Sequence, residues 1–171
     1  MLTHLDLALL RGVRRALGET PAVPVARGLS VFGEHALGWM AVGAMGWVRG
    51  HRRQDWAGAV AGVVAAHAAG VVVKRAVRRV RPALDDVPPL VRTASRLSFP
   101  SAHSTSTAAA AVGFAPMLGT PAMAGVTGAM LLSRVLLGVH YPTDVASGAV
   151  LGAGIAAAFR RRTVRRASRR G

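Results

Sequence analysis

The chain has no cysteine, a single tyrosine, seven acidic residues and one lysine, Lys74, among twenty-two basic residues. Without cysteine, disulfides and thiolate chemistry are excluded. With Tyr141 as the only tyrosine, no aromatic platform accompanies the net charge of +15, so a nucleic-acid partner is not expected. Charge itself is missing over long stretches. Residues 56–73 carry only His67, and residues 100–133 and 145–159 contain no Asp, Glu, Lys or Arg. A soluble helical bundle places charges on its outer faces every few residues. A bilayer core about 30 Å thick demands bare runs like these. Composition therefore points to an integral membrane protein.

At 171 residues the chain fits one domain, 1–171. The expected fold class is all-α: an integral-membrane helical bundle of about five transmembrane helices plus an N-terminal amphipathic helix at the interface. That helix, over 2–18, sets Leu2, Leu5, Leu9, Val13 and Ala16 on one stripe, with His4, Arg11, Arg14 and Arg15 largely off it. Spans are expected at 30–48, 56–73, 101–118, 122–138 and 143–159, followed by an arginine-rich tail over 160–171. Trp47 and Trp56 flank the polar turn 49–55 as interfacial anchors. Residues 83–99 form a loop. Alternating the spans puts the end of the second, the start of the third and the junction of the fourth and fifth on one face. Arginines outside the site divide nine to ten between the two faces, which sets no orientation. Nothing in the sequence sets an oligomeric state.

Three short segments meet on that shared face. Lys74 and Arg81 lie seven residues apart, two turns of a helix that Pro82 ends, and so point the same way. Together they can clasp phosphate oxygens. Arg75, Arg78 and Arg79 read as a basic cluster that holds topology. Pro100-Ser101-Ala102-His103 reads as a helix start with Ser101 at the N-cap, where free N–H groups and the hydroxyl make an anion site. An ordinary cap beside an interfacial histidine accounts for these four residues equally well. Ser133-Arg134, His140 and Asp144 carry more weight. Asp144 follows His140 by four residues, so its carboxylate can reach one ring nitrogen and leave the other as a nucleophile. Arg134 supplies a third cation. Such a set inside an apolar membrane region is costly to keep without a purpose.

Other polar residues read more simply. His67 is expected to be a hydrogen-bonded contact between helices. Glu34 and His35 are expected to pair with a basic residue at the interface. Asp85 and Asp86 read as solvated loop acids, with no spaced partners that would make a metal site.

Taken in order, Lys-x6-Arg-Pro, Pro-Ser-x-His and Ser-Arg-x5-His-x3-Asp resemble the type 2 phosphatidic acid phosphatase superfamily over roughly residues 60–155. One departure is Ala102, where that family usually has glycine; alanine restricts the backbone around a phosphate. The resemblance implies metal-independent phosphoryl transfer through a phosphohistidine, with no cofactor. His140 would attack phosphorus, Asp144 would orient it, and His103 would protonate the leaving alkoxide and then activate water. Lys74, Arg81, Arg134, Ser101 and the backbone at Ala102 would hold the phosphoryl oxygens. The division into nucleophile and acid comes from the resemblance alone.

The expected partners are a membrane lipid substrate and anionic phospholipid headgroups. Compact size and Ala102 are similar to the polyprenyl-phosphoribose phosphatases of cell-wall synthesis within that superfamily. Phosphatidic acid, phosphatidylglycerophosphate and undecaprenyl pyrophosphate are competing substrates. Two other readings fit the same residues: a phospholipid-headgroup binder without turnover, and a phosphotransferase that uses an acceptor other than water.

Overall fold

Small residues decide how this chain packs. The computed structural model describes residues 2–167, and over them it is all-helical, without strands. The helices are α1 (Leu2–Leu17), α2 (Ala22–Phe32), α3 (Leu37–Val48), α4 (Arg53–Val77), α5 (Ala102–Leu118), α6 (Thr120–Leu136) and α7 (Pro142–Ala167), with a 3-10 turn at Glu34–Ala36. Helix α5 lies at the centre and packs on α4, α6 and α7. Its buried Ala109, Ala110 and Phe114 meet Ala59, Val63 and Ala66 of α4 and Ala156 of α7. Two glycines let α7 close on the start of α5. A Cβ at Gly148 would sit 2.7 Å from the Ser101 carbonyl oxygen, and one at Gly152 would collide with the Thr105 carbonyl. Close approach of this kind is how helices associate where water offers no hydrophobic drive.

Among the described residues, two segments are long and apolar enough to cross a bilayer by themselves, Arg53–Val77 and Pro142–Arg162. The span expected at 30–48 is not one helix. It breaks between α2 and α3, where His35 (φ 49°) and Ala36 (φ 61°) take the left-handed backbone. Each such non-glycine residue costs roughly 1–2 kcal/mol. Gly33 stands at this break because a Cβ there would lie 2.5 Å from the His103 ring.

Helix α4, the second expected span, also ends differently from expectation. It stops at Val77, because Arg78 turns left-handed (φ 56°) and caps it, four residues before Pro82 could act. Arg81 therefore lies on an extended segment held by an antiparallel bridge between Val80 and Leu97.

Helix α1 turns Asp6 and Leu10 inward; of the expected apolar stripe, Leu5 and Leu9 are more than half exposed while Val13 packs on the core. Trp47 is exposed as an anchor would be, but Trp56 turns into the core against Phe114, with ring centroids 5.4 Å apart. The first residues of the tail continue α7, and 168–171 lie outside the described residues.

Candidate active site

Every segment singled out in the sequence ends at one place. Lys74 comes from the last turn of α4, Arg81 from the extended segment, and Ala102 and His103 from the first turn of α5. Arg134 comes from the end of α6, and His140 from the turn that leads into α7. These six line a cavity of about 190 Å³. Ser101 and Asp144 are fully buried behind its wall. Ser101 caps α5, accepting from the Ser104 N–H at 3.3 Å and the Ser104 hydroxyl at 2.9 Å. Its own N–H donates to the Asp144 carbonyl at 3.0 Å, which ties α5 to α7.

The cations face this cavity, which Glu34 lines as well. Lys74 donates to the carbonyls of Leu97 (3.2 Å) and Ser98 (3.4 Å). Arg134, only 2% exposed, donates to the hydroxyls of Ser133 (3.2 Å) and Ser30 (3.0 Å) and to the Ala26 carbonyl (3.5 Å). Arg81 donates to the carbonyls of Ser95 (2.8 Å) and Val139 (2.6 Å). None of the three forms an ion pair with a carboxylate among the described residues. Buried positive charge held by neutral oxygens and by the His140 ring nitrogen favours an anionic ligand. Burial pushes the Arg81 pKa down, and an arriving anion would relieve that cost.

The tautomer of His140 follows from its neighbours. Arg81 Nη1 lies 3.0 Å from His140 Nε2. A guanidinium has no lone pair to offer, so Nε2 accepts and the ring proton sits on Nδ1. Nδ1 points to Asp144 Oδ2 at 3.7 Å, beyond hydrogen-bond length, and has no other partner. Nε2 therefore carries its lone pair toward the cavity. Burial first, then the charges of Arg81 and Lys74, push the imidazole down to about 3 against the pull of Asp144. His140 is neutral at physiological pH. Across the cavity, His103 Nε2–H donates to the Ser30 carbonyl at 2.9 Å, and Glu34 Oε2 lies 3.9 Å from the same nitrogen.

Sequence reasoning missed what stands behind Asp144. Arg79, read as part of a topology cluster, donates to Asp144 Oδ1 and to Asp6 Oδ2, each at 2.8 Å. Its guanidinium stacks 3.9 Å from the Tyr141 ring centroid. Burial works against that charge, but Asp6 and Asp144 outweigh it and raise the pKa. Asp6 also accepts from the N–H of Thr143 (2.9 Å) and its hydroxyl (2.6 Å), and so caps the start of α7. An acid on the Leu10 face of α1, in a chain with seven, was the available signal.

Three further expectations change. His67 Nδ1 is buried without a hydrogen-bond partner, although a hydrogen-bonded contact was expected. Glu34 and His35 pair with each other at 3.4 Å and line the cavity. Asp86 pairs with Arg11 at 2.8 Å, which ties α1 to the loop.

A family model described as the PAP2 superfamily matches residues 55–168. The chain is 52% identical over 143 residues to a decaprenylphosphoryl-5-phosphoribose phosphatase of Mycolicibacterium smegmatis, covering 82% of this chain and 79% of that protein. It is 46% identical over 154 residues to a protein of the same name from Mycobacterium tuberculosis, covering 89% and 87%. Among solved structures, a transmembrane PAP2-type phosphatidylglycerolphosphate phosphatase from Bacillus subtilis superposes with a TM-score of 0.77 at 25% identity, over 92% of this chain and 84% of that one. LpxE of Aquifex aeolicus shares the fold, with a TM-score of 0.72 at 20% identity over 92% and 95%.

Proposed function

The chain belongs to the PAP2 superfamily, and from that premise we propose that it removes the 5-phosphate of decaprenylphosphoryl phosphoribose through a phosphohistidine on His140. It is a metal-independent membrane phosphatase acting on a lipid phosphate. The observation that carries the finer reading is the pairing of three cations that form no ion pair among the described residues with a neutral His140 whose Nε2 lone pair faces them.

In this mechanism the 5-phosphate enters the cavity and draws Lys74, Arg81 and Arg134 onto its oxygens. Arg81 leaves His140 Nε2 in doing so and frees the lone pair. Backbone N–H groups at Ala102 and His103, ordered by the Ser101 cap, complete the cradle. Nε2 attacks phosphorus, the N–P bond forms, and the P–O bond to ribose C5 breaks. His103 gives its proton to the departing alkoxide. Asp144 steadies the imidazolium proton on Nδ1. Water then attacks phosphorus while His103 takes back a proton, and inorganic phosphate leaves with His140 restored. Electrostatic stabilisation by cations held in place before the substrate arrives supplies most of the acceleration.

The whole chain acts as one domain, multi-pass in the bacterial plasma membrane. The broken α2–α3 unit and α4 to α7 make five crossings, and α1 lies in the interface among anionic headgroups. The test is phosphate release by detergent-purified protein with EDTA present. The panel comprises decaprenylphosphoryl phosphoribose 5-phosphate, phosphatidic acid, phosphatidylglycerophosphate and undecaprenyl pyrophosphate, each beside His140→Ala. Release that survives EDTA, vanishes in the variant and is fastest on the phosphoribose lipid supports the reading. Release unchanged in the variant overturns the phosphohistidine on His140.

A further inference from the structure

The cavity holds a carboxylate that a phosphatase has no use for at phosphorus. Glu34 lines it together with the cations, half exposed, with His103 Nε2 at 3.9 Å and His35 Nδ1 at 3.4 Å as its ion-pair neighbours. A phosphate needs donors, and a carboxylate beside it repels it. His67 lines it too, its Nδ1 buried without a partner, with its ring 6.4 Å from that of His35. The backbone that presents this group is strained, left-handed at both His35 and Ala36 without glycine. Strain at two adjacent residues persists where the surroundings require it, and it collects at ligand sites.

We propose that Glu34 and His67 form a hydroxyl-reading wall, which selects lipid phosphates whose scissile phosphate is carried on a sugar or polyol. The Glu34 carboxylate accepts from adjacent hydroxyls of the leaving group, and His67 Nδ1 completes the set. The cations take the phosphate on the other side. A hydroxyl satisfies the carboxylate without competing for the cradle, whereas a diacylglycerol leaving group offers no hydroxyl and leaves the charge desolvated. Sites built to bond a substrate hydroxyl reject analogues that lack it far more strongly than apolar pockets reject a methylene. The inference rests on the phosphomonoesterase reading of this cavity and adds to it the residues that choose the substrate.

The experiment compares kcat/KM for decaprenylphosphoryl phosphoribose 5-phosphate and for phosphatidic acid in wild type, Glu34→Ala and the isosteric Glu34→Gln. Glu34→Ala is expected to lose roughly ten- to hundredfold more in kcat/KM on the phosphoribose lipid than on phosphatidic acid. A thermal melt of each preparation reports that the protein is folded. Equal loss on both lipids overturns the inference, because Glu34 would then act on the chemistry through His103. No loss on either overturns it too. A wild type that cleaves phosphatidic acid but not the phosphoribose lipid refutes the substrate reading itself, a different failure. Preference lost in Glu34→Ala and partly kept in Glu34→Gln, which retains one acceptor oxygen, supports the wall.

Discussion

Arg79 holds Asp144 in place, donating from Nη1 to Oδ1 at 2.8 Å while the other oxygen of that carboxylate accepts the Tyr141 N–H at 2.9 Å. Both carboxylate oxygens are therefore committed before His140 makes any claim on them. The second nitrogen of the same guanidinium holds Asp6 of α1. A surface helix, the basic segment and the first turn of α7 are thus locked around the residue that faces His140.

Loss of this link is expected to lower turnover more than binding. In Asp6→Asn one acceptor oxygen remains but the charge does not, so Arg79 and Asp144 shift together and His140 loses its alignment. Misplacement by about 1 Å can cost on the order of a hundredfold in rate. We expect kcat to fall roughly tenfold or more with KM little changed, measured by steady-state phosphate release. Asp6→Glu, which restores the charge, is expected to recover part of it. Arg79→Ala leaves two buried carboxylates uncompensated, a change that typically costs about 3–5 kcal/mol, and should show as a large loss of thermal stability.

A second expectation concerns pH. The imidazole of His140 is depressed to about 3, below the ordinary value of 6.5, so it stays neutral as pH falls from 7 to 5. Nitrogen-15 NMR of histidine-labelled protein should show a neutral His140 throughout that range. Stability carries the opposite sign. The unfolded chain takes up the proton near the ordinary histidine value and the folded chain does not, so this residue destabilises the fold as pH drops below 6.5 and increasingly toward 3. His140→Asn is therefore expected to lose less melting temperature than wild type between pH 7 and pH 5.

The cradle can be tested one cation at a time. Arg134 is held by hydroxyls and a carbonyl and pairs with no acid among the described residues, which leaves its charge to act on a phosphate in the proposed cradle. Arg134→Lys keeps a charge but loses the planar fork. Its kcat is expected to fall on the order of a hundredfold, the scale for removing one oriented donor at a developing charge. Vanadate, a phosphate mimic, should inhibit the variant more weakly than wild type.

Much of this architecture was legible because bilayers and phosphates impose stringent demands on a chain. Runs without charge marked the helices, and the four-residue spacing of His140 and Asp144 fits their standing side by side, 3.7 Å apart and short of a hydrogen bond. The convergence of Lys74 with Arg81 was foreseen for the wrong reason. A continuous helix was expected to align them, whereas Arg78 ends the helix and an extended segment with a single bridge returns Arg81 to the cavity. Whether a non-glycine residue turns left-handed depends on tertiary contacts that local propensity does not report. The same holds at His35 and Ala36, where a break replaces the expected span. Arg79 and Asp6 stayed hidden because their partners lie 65 and 73 residues away, and the periodicity of a single helix carries no record of them.

The final prediction tests the packing that brings α7 to α5. Gly152 has no room for a side chain, since any Cβ would run into the Thr105 backbone, which cannot swing aside as a side-chain tip would. Gly154, two residues on, would meet nothing within 4 Å. Gly154→Ala is therefore expected to be neutral or slightly stabilising, because alanine is the better helix former. Gly152→Ala must push the two helices apart, and forced overpacking costs about 1–3 kcal/mol. For a chain of this size that corresponds to a drop of several degrees in melting temperature. Activity should fall further than stability, because the displacement separates the Ser101 N–H from the Asp144 carbonyl and moves His140 off the cavity. Thermal melts and phosphate release on the two alanine variants, side by side, separate these effects. Equal behaviour of the pair would show that the approach of α7 to α5 does not set the geometry of the site.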